Sequence, residues 1–258
     1  MNNRYSVPNL ERALVIIEFL SKQPEGCGLS EIAKKLEMPK NSVFRILKTL
    51  LMHGYINQSL PDKSYILSSK FLSLGYSALG EINLIEKSLD IMRALRDEVN
   101  ETVLLCSILG HEGVVMEQVL CYHEVKFVID VGHRFPLHTA APGKIILAYM
   151  SEKEREGILN NITFEKFNER TITNKKDLSS VLAEAKEKGY AIDCGEEIEG
   201  LHCVAAPILN YYGYPVASIL ITGPSSRISK RNFETIGKIV CENAAKISQR
   251  LGYFEKDA

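Results

Sequence analysis

Apolar residues in the first seventy positions repeat with helical spacing in three stretches, then change to a strand-like pattern. Ala13, Leu14, Ile16, Ile17 and Leu20 mark the first stretch, closed by Pro24-Glu25-Gly26. Leu29, Ile32, Ala33 and Leu36 fall at i, i+3, i+4 and i+7, one face of a second helix. Val43, Phe44, Ile46, Leu47, Leu50 and Leu51 form the broad apolar face of a third, over Lys40 to Met52. Two short extended runs follow, Tyr55–Asn57 and Tyr65–Leu67, separated by the turn residues Pro61-Asp62-Lys63. Three helices and a hairpin in this order predict a winged helix-turn-helix, which lays its last helix in the major groove of DNA.

The boundaries have local causes. Ser30 is expected to cap the second helix, with Glu31 complementing the positive end of the helix dipole. Pro39 disfavours helical geometry in Met38, so the second helix must end near Glu37, and the same proline suits the first turn of the third. Opposite the apolar face of the third helix stand Lys40, Asn41, Ser42, Arg45, Lys48 and Thr49. Asn41, Ser42 and Arg45 are the expected base readers, since Arg45 can pair bidentately with guanine and Asn41 with adenine. Lys40 and Lys48 suit phosphates, which set register without carrying sequence information. Lys63, at the wing tip, would reach the backbone or the minor groove.

Beyond the hairpin, residues 68–80 keep Phe71, Leu72, Leu74 and Leu79 among small residues and read as a linker helix ending at Gly80. Ile82–Val99 is a strongly amphipathic helix. Strands are predicted at Thr102–Leu109, Gly113–Val119, Val125–Val131, Tyr190–Cys194, Cys203–Leu209 and Val216–Thr222. Helices are predicted at Gly143–Met150, Glu152–Leu159, Lys176–Lys188 and Ser229–Leu251. Hairpins with flanking helices imply an α+β fold around an antiparallel sheet rather than a doubly wound parallel one.

Charge sharpens the division. Residues 1–70 hold ten Lys or Arg against six Asp or Glu, a net +4, and the remainder 21 against 26, a net −5. A basic module on an acidic body fits phosphate neutralisation at one end only. No apolar run approaches a membrane span, and the N-terminus lacks the apolar core of a signal peptide. The six cysteines are scattered without a C-x-x-C pair, as expected of reduced thiols in a cytoplasmic protein.

Arg12-Ala13-Leu14, Glu31-Ile32-Ala33 through Pro39 to Arg45-Ile46-Leu47, and Tyr65-Ile66-Leu67 form one set of motifs in the first part. His138-Thr139-Ala140-Ala141-Pro142-Gly143-Lys144, Gly189-Tyr190-Ala191, Asp193 to Glu197, Gly200, Cys203 to Ile208 and Gly223-Pro224 continue it in the rest. In this order and spacing they make the chain resemble, nearly end to end, the IclR family of bacterial transcription regulators. The resemblance implies a winged helix-turn-helix over residues 1–68, a linker helix over 69–80 and an effector-binding domain of GAF-like or profilin-like fold over 81–258. It also implies a homodimer or dimer of dimers, a repressor of double-stranded operator DNA whose affinity a small molecule adjusts, with no cofactor.

The same resemblance places an effector among Ala141, Pro142, Gly143, Asp193, Cys203, Leu220 and Thr222, with Phe135 and Tyr122 as possible aromatic lining. Leu220 and Thr222 stand where some members have serines, so a small keto acid does not carry over. Physical chemistry adds a reason for an anion. With Pro142 in the first turn and Ala141 near the cap, the amides of Gly143 and Lys144 would be uncapped, and such a helix start attracts a carboxylate. Close packing explains the same small residues, and Glu197 suits either the site or a brace for its loop.

The residues offer two other chemistries. Cys203 beside His202 or His138 has the composition of a nucleophile and base, but a cysteine within an apolar strand is expected to be inert, and no enzyme is predicted. Cys121, His123, His133 and His138 offer metal-ligating atoms for a metal-responsive regulator, at a spacing that matches no standard zinc pattern.

Overall fold

The computed structural model describes residues 6–59, 63–78 and 84–254, with residues 75–78 as backbone only. The chain divides into two compact units, Met1–Ile82 and Asn83–Ala258.

The first unit packs α1 (Pro8–Ser21), α2 (Leu29–Lys35) and α3 (Lys40–Met52) against an antiparallel hairpin of β1 (Ile56–Gln58) and β2 (Tyr65–Leu67), followed by α4 (Lys70–Ala78). Ile16 and Leu20, Ile32, and Val43, Ile46, Leu47 and Leu50 meet Ile56 and Tyr65 in one core. Leu14 is not in it; it is 51% exposed, because it sits one residue off the i, i+3, i+4, i+7 row of Ala13, Ile16, Ile17 and Leu20. Phe44 departs from its expected face for the same reason, and is 45% exposed.

Ser30 does not cap α2; the cap is Gly28, with no side-chain acceptor, and Ser30 lies inside the first turn. The turn before α3 closes on Glu37, which takes a left-handed φ of 51°, while the Met38 amide donates to the Ala33 carbonyl at 3.0 Å. That arrangement satisfies the last carbonyls of α2. The expected turn at Pro61-Asp62, and Leu79, Gly80 and Ile82, lie outside the described residues.

The second unit is a six-stranded, wholly antiparallel sheet in the order β5-β4-β3-β8-β7-β6. Its strands are β3 (Thr102–Leu109), β4 (Glu112–Val119), β5 (Arg134–Pro136), β6 (Ala191–Asp193), β7 (Leu201–Leu209) and β8 (Pro215–Pro224). Helices α5 (Leu84–Val99) and α9 (Phe233–Arg250) cover one face; α6 (Ala141–Tyr149) and α8 (Lys175–Lys188) cover the other, with α7 (Glu152–Leu159) between α6 and α8 in sequence. Because both faces are covered, the strands read as continuous apolar runs, and alternation decides which core each residue enters. Val103, Leu105, Val204, Ile219 and Ile221 face α5 and α9, while Leu104, Cys106, Cys203, Ala205 and Leu220 face α6.

The strand expected at Val125–Val131 does not form. Phe127 and Ile129 turn inward while Val125, Val128 and Val131 are exposed, and the edge position beside β4 goes to β5, through Val114↔Arg134 and Gly113↔Phe135. Among the described residues no helix is long and apolar enough to cross a membrane.

Candidate functional site

In the first unit the polar face of α3 borders a groove lined by Asn9, Arg12, Asn41, Ser42, Arg45 and Thr49. Lys40, Asn41, Arg45, Lys48 and Thr49 are exposed, and Asn41, Arg45 and Thr49 follow at intervals of four along one side of the helix. Ser42 is half-buried, and its hydroxyl accepts from Arg12 Nη1 at 3.3 Å. Thr49 Oγ1 donates back to the Arg45 carbonyl at 3.0 Å, and Lys48 Nζ lies 5.8 Å from the centre of the exposed Phe44 ring. Lys63 is exposed in a left-handed conformation, φ 57°, and its carbonyl accepts from Gln58 Nε2 at 3.4 Å. Arg12 escaped selection on chemistry because one basic residue on an amphipathic helix carries no positional signal; only the fold brings it to Ser42.

In the second unit a cavity of about 60 Å³ opens on the α6 face of the sheet. Register builds it. Asp193 pairs with Cys203 across β6 and β7, and Leu220 pairs with Ala205 on one side and Leu104 on the other. Five of the expected residues line the cavity: Phe135, Pro142, Asp193, Cys203 and Leu220. Ala141, Gly143 and Thr222 are buried but do not line it, and Ala140 takes the place of Ala141. Tyr122 is exposed elsewhere, with the Arg96 guanidinium 4.3 Å from its ring centre. Leu104, Cys106 and Val115 join the lining unannounced, since in sequence they are ordinary core strand residues.

The start of α6, where an anion was expected, borders the cavity through Ala140 and Pro142. Ala140, rather than the expected Ala141, caps α6 without a side-chain acceptor, and the Lys144 amide makes the first intrahelical bond, to the Ala140 carbonyl at 3.1 Å. A Cβ at Gly143 would come 2.9 Å from the Leu137 Cα and carbonyl oxygen, so the glycine is there for backbone packing.

The charged chemistry lies deeper. Lys144 is fully buried; its ammonium pairs with Glu196 and donates to the Ile192 carbonyl at 3.2 Å. Asp193 Oδ1 accepts from the Glu196 amide at 2.8 Å, tightening the loop after β6, and Glu197 accepts from Thr139 Oγ1 at 3.2 Å. Burial pushes the carboxyls of Asp193 and Glu197 up, and that of Glu196 to about 7, the Lys144 charge opposing it. A lysine on a predicted helix reads as solvent-facing, so this pair was invisible in the sequence.

Cys203 is no nucleophile. Its Sγ donates to Thr222 Oγ1 at 3.2 Å, and burial pushes the thiol well above its ordinary range. His202 Nδ1 is engaged by the Ile228 carbonyl at 2.7 Å. The metal alternative finds no support in the geometry: among the described residues no group of three or more His, Cys, Asp or Glu is placed to hold a metal ion. His138 is buried against Phe164, its Nε2 at 3.0 Å from the Glu165 carbonyl, whereas Cys121 is buried where its amide meets Thr102.

The sequence model of the bacterial transcriptional regulator IclR C-terminal domain matches residues 76–249, and that of the IclR helix-turn-helix domain matches residues 9–59. The chain is 31% identical over 251 residues to the HTH-type transcriptional regulator KdgR of Escherichia coli, covering 97% of this chain and 95% of KdgR. It is 30% identical over 243 residues to the transcriptional repressor AllR of Escherichia coli, covering 94% and 90%. The crystal structure of the Thermotoga maritima IclR protein matches with a TM-score of 0.75 at 30% identity, over 95% of this chain and 99% of that one. The chain belongs to the IclR family: it is a DNA-binding transcription regulator, not an enzyme.

Proposed function

We propose that the chain represses transcription in the cytoplasm by binding a near-palindromic operator as a homodimer or dimer of dimers, and that a small molecule in the C-terminal cavity sets its DNA affinity. Residues 1–68 bind DNA, 69–80 link, and 81–258 hold the effector. Asn41, Ser42 and Arg45 read bases, Arg12 steadies Ser42, Lys40, Lys48 and Thr49 meet the backbone, and Lys63 extends the contact from the wing. Dimeric readers space half-sites about 34–36 Å apart, or at multiples of that distance.

One observation carries the regulatory half. An apolar cavity into which a few polar groups converge is what small-molecule recognition requires, and Asp193 and Glu197 supply those groups here. A bound molecule shifts the equilibrium only by its preference for one DNA-binding state over the other.

The test is to select an operator from random duplexes, then screen metabolites by thermal shift and ask which hits alter operator affinity. Leu220→Phe, which narrows the cavity, is expected to abolish the response while leaving ligand-free DNA binding intact. A response undiminished in that variant removes the cavity from the function.

A further inference from the structure

Phe44 stands on the exposed side of α3 and adds nothing to the core of its unit. It is 45% exposed, and among the described residues it belongs neither to that core nor to the half-buried side chains packed on it. It lies one turn from Asn41, at i, i+3, and one turn from Lys48, at i, i+4, so the three share one side of the helix. The Lys48 ammonium, 5.8 Å from the ring centre, is within cation–π range of the ring. Arg45, next in sequence, is exposed as well. A single exposed aromatic elsewhere on a surface would need no explanation. Here it is the fifth residue of a 13-residue reading helix, within the part that meets base edges.

The major groove offers such a ring little to bind. Base edges present hydrogen-bond donors and acceptors there, and the C5 methyl of thymine is the apolar group among them. A phenyl ring pressed on a donor or acceptor strips its water and returns no hydrogen bond. Pressed on a methyl, it removes apolar surface of both partners from water. Asn41 and Arg45 suit adenine and guanine through paired hydrogen bonds, and neither has a group for the methyl. Met52, the other large apolar side chain exposed on α3, closes the helix at its C-terminal end, away from the part that meets bases.

We infer that Phe44 reads a pyrimidine 5-methyl group in the major groove, giving the chain a preference for thymine or 5-methylcytosine at one position of each half-site. The inference rests on the reading of α3 as the recognition helix, and adds a contact that hydrogen bonding cannot make.

The test takes the duplex selected from random sequences and replaces its thymines one at a time by uracil, which removes the methyl and keeps every hydrogen-bonding group. Affinity of the full chain is expected to fall about fourfold at the contacted thymine, the worth of burying one methyl group. Phe44→Ala should bind the thymine and uracil duplexes equally, and should melt at the same temperature as the unmodified chain because the ring lies outside the core. Cytosine at the same position should gain a similar factor on 5-methylation, and only with Phe44 present. If uracil costs nothing at any thymine while Arg45→Ala still relaxes a base preference, the methyl contact is overturned and the recognition helix stands. A uracil penalty that survives in Phe44→Ala assigns the methyl to another residue and overturns the inference too. A chain that selects no preferred duplex overturns both the inference and the base-reading role of α3.

Discussion

Lys144 and Glu196, 52 residues apart, form an ion pair inside the C-terminal unit, the lysine without any exposed surface. The pair joins the first turn of α6 to the loop after β6, and the Asp193 carboxylate holds the same loop through the Glu196 amide. One wall of the cavity therefore stands on a buried charge.

Removing one partner should be far worse than removing both. Lys144→Met leaves Glu196 buried and unpaired, and is expected to cost about 3–5 kcal/mol in urea unfolding. The double variant Lys144→Met, Glu196→Leu should recover most of that loss, since an apolar pair of similar volume carries no desolvation penalty. Additive losses in the double variant would mean that the two residues act independently.

Stability should fall as pH rises from about 4.5 to about 7. Folded Glu196 keeps its proton up to about 7, whereas an unperturbed glutamate releases it near 4.5. Between those values the folded state binds more protons than the unfolded one, so the contribution is complete below the lower value and lost above the upper. Asp193 and Glu197, also raised, act in the same direction. Asp90, held down to about 2 by the Arg250 guanidinium, acts the opposite way only at lower pH, whereas His138, lowered by burial, opposes the slope as pH rises towards 6.5. Urea midpoints at pH 5 and pH 7.5 measure the slope, and Glu196→Gln should flatten it.

On DNA, Arg45→Ala should weaken operator binding by about 1–3 kcal/mol and relax preference at one base position. Lys63→Ala should weaken all sequences alike and reduce the salt dependence by about one ion. Equal loss on operator and random duplex for Arg45→Ala would reassign it to a phosphate. Competition binding across a salt series separates the two.

Gly113 pairs with Phe135 across the sheet edge, and a Cβ there would overlap the Phe135 ring that lines the cavity. Gly113→Ala is expected to cost about 1–3 kcal/mol through overpacking. Gly157, in α7, has open space around its Cα, so Gly157→Ala should instead stabilise by about 0.5–1 kcal/mol. Equal effects from the two would show that the Gly113 contact relaxes freely.

What the sequence determined by itself was local. The spacing of Ile32, Ala33, Val43, Ile46, Leu47 and Leu50, the proline at 39 and the strand pair around Ile56 and Tyr65 specify the reading module, because helix faces and turns are decided within a few residues. The antiparallel sheet was legible for a similar reason, as long apolar runs joined by glycine and asparagine turns. The errors lay where a face had to be chosen between neighbours: Leu14, Phe44 and the Val125–Val131 segment were assigned by hydrophobicity, and packing placed them otherwise.

Only the tertiary structure decided the chemistry of the cavity. Asp193, Cys203, Leu220 and Leu104 are brought to one face by the register of four strands, a non-local quantity that no short window contains. The same packing sets Gly143 against the Leu137 backbone and withdraws Lys144 into its pair with Glu196. Burial and pairing set the sign of a site's charge, and neither is a property of the residue list.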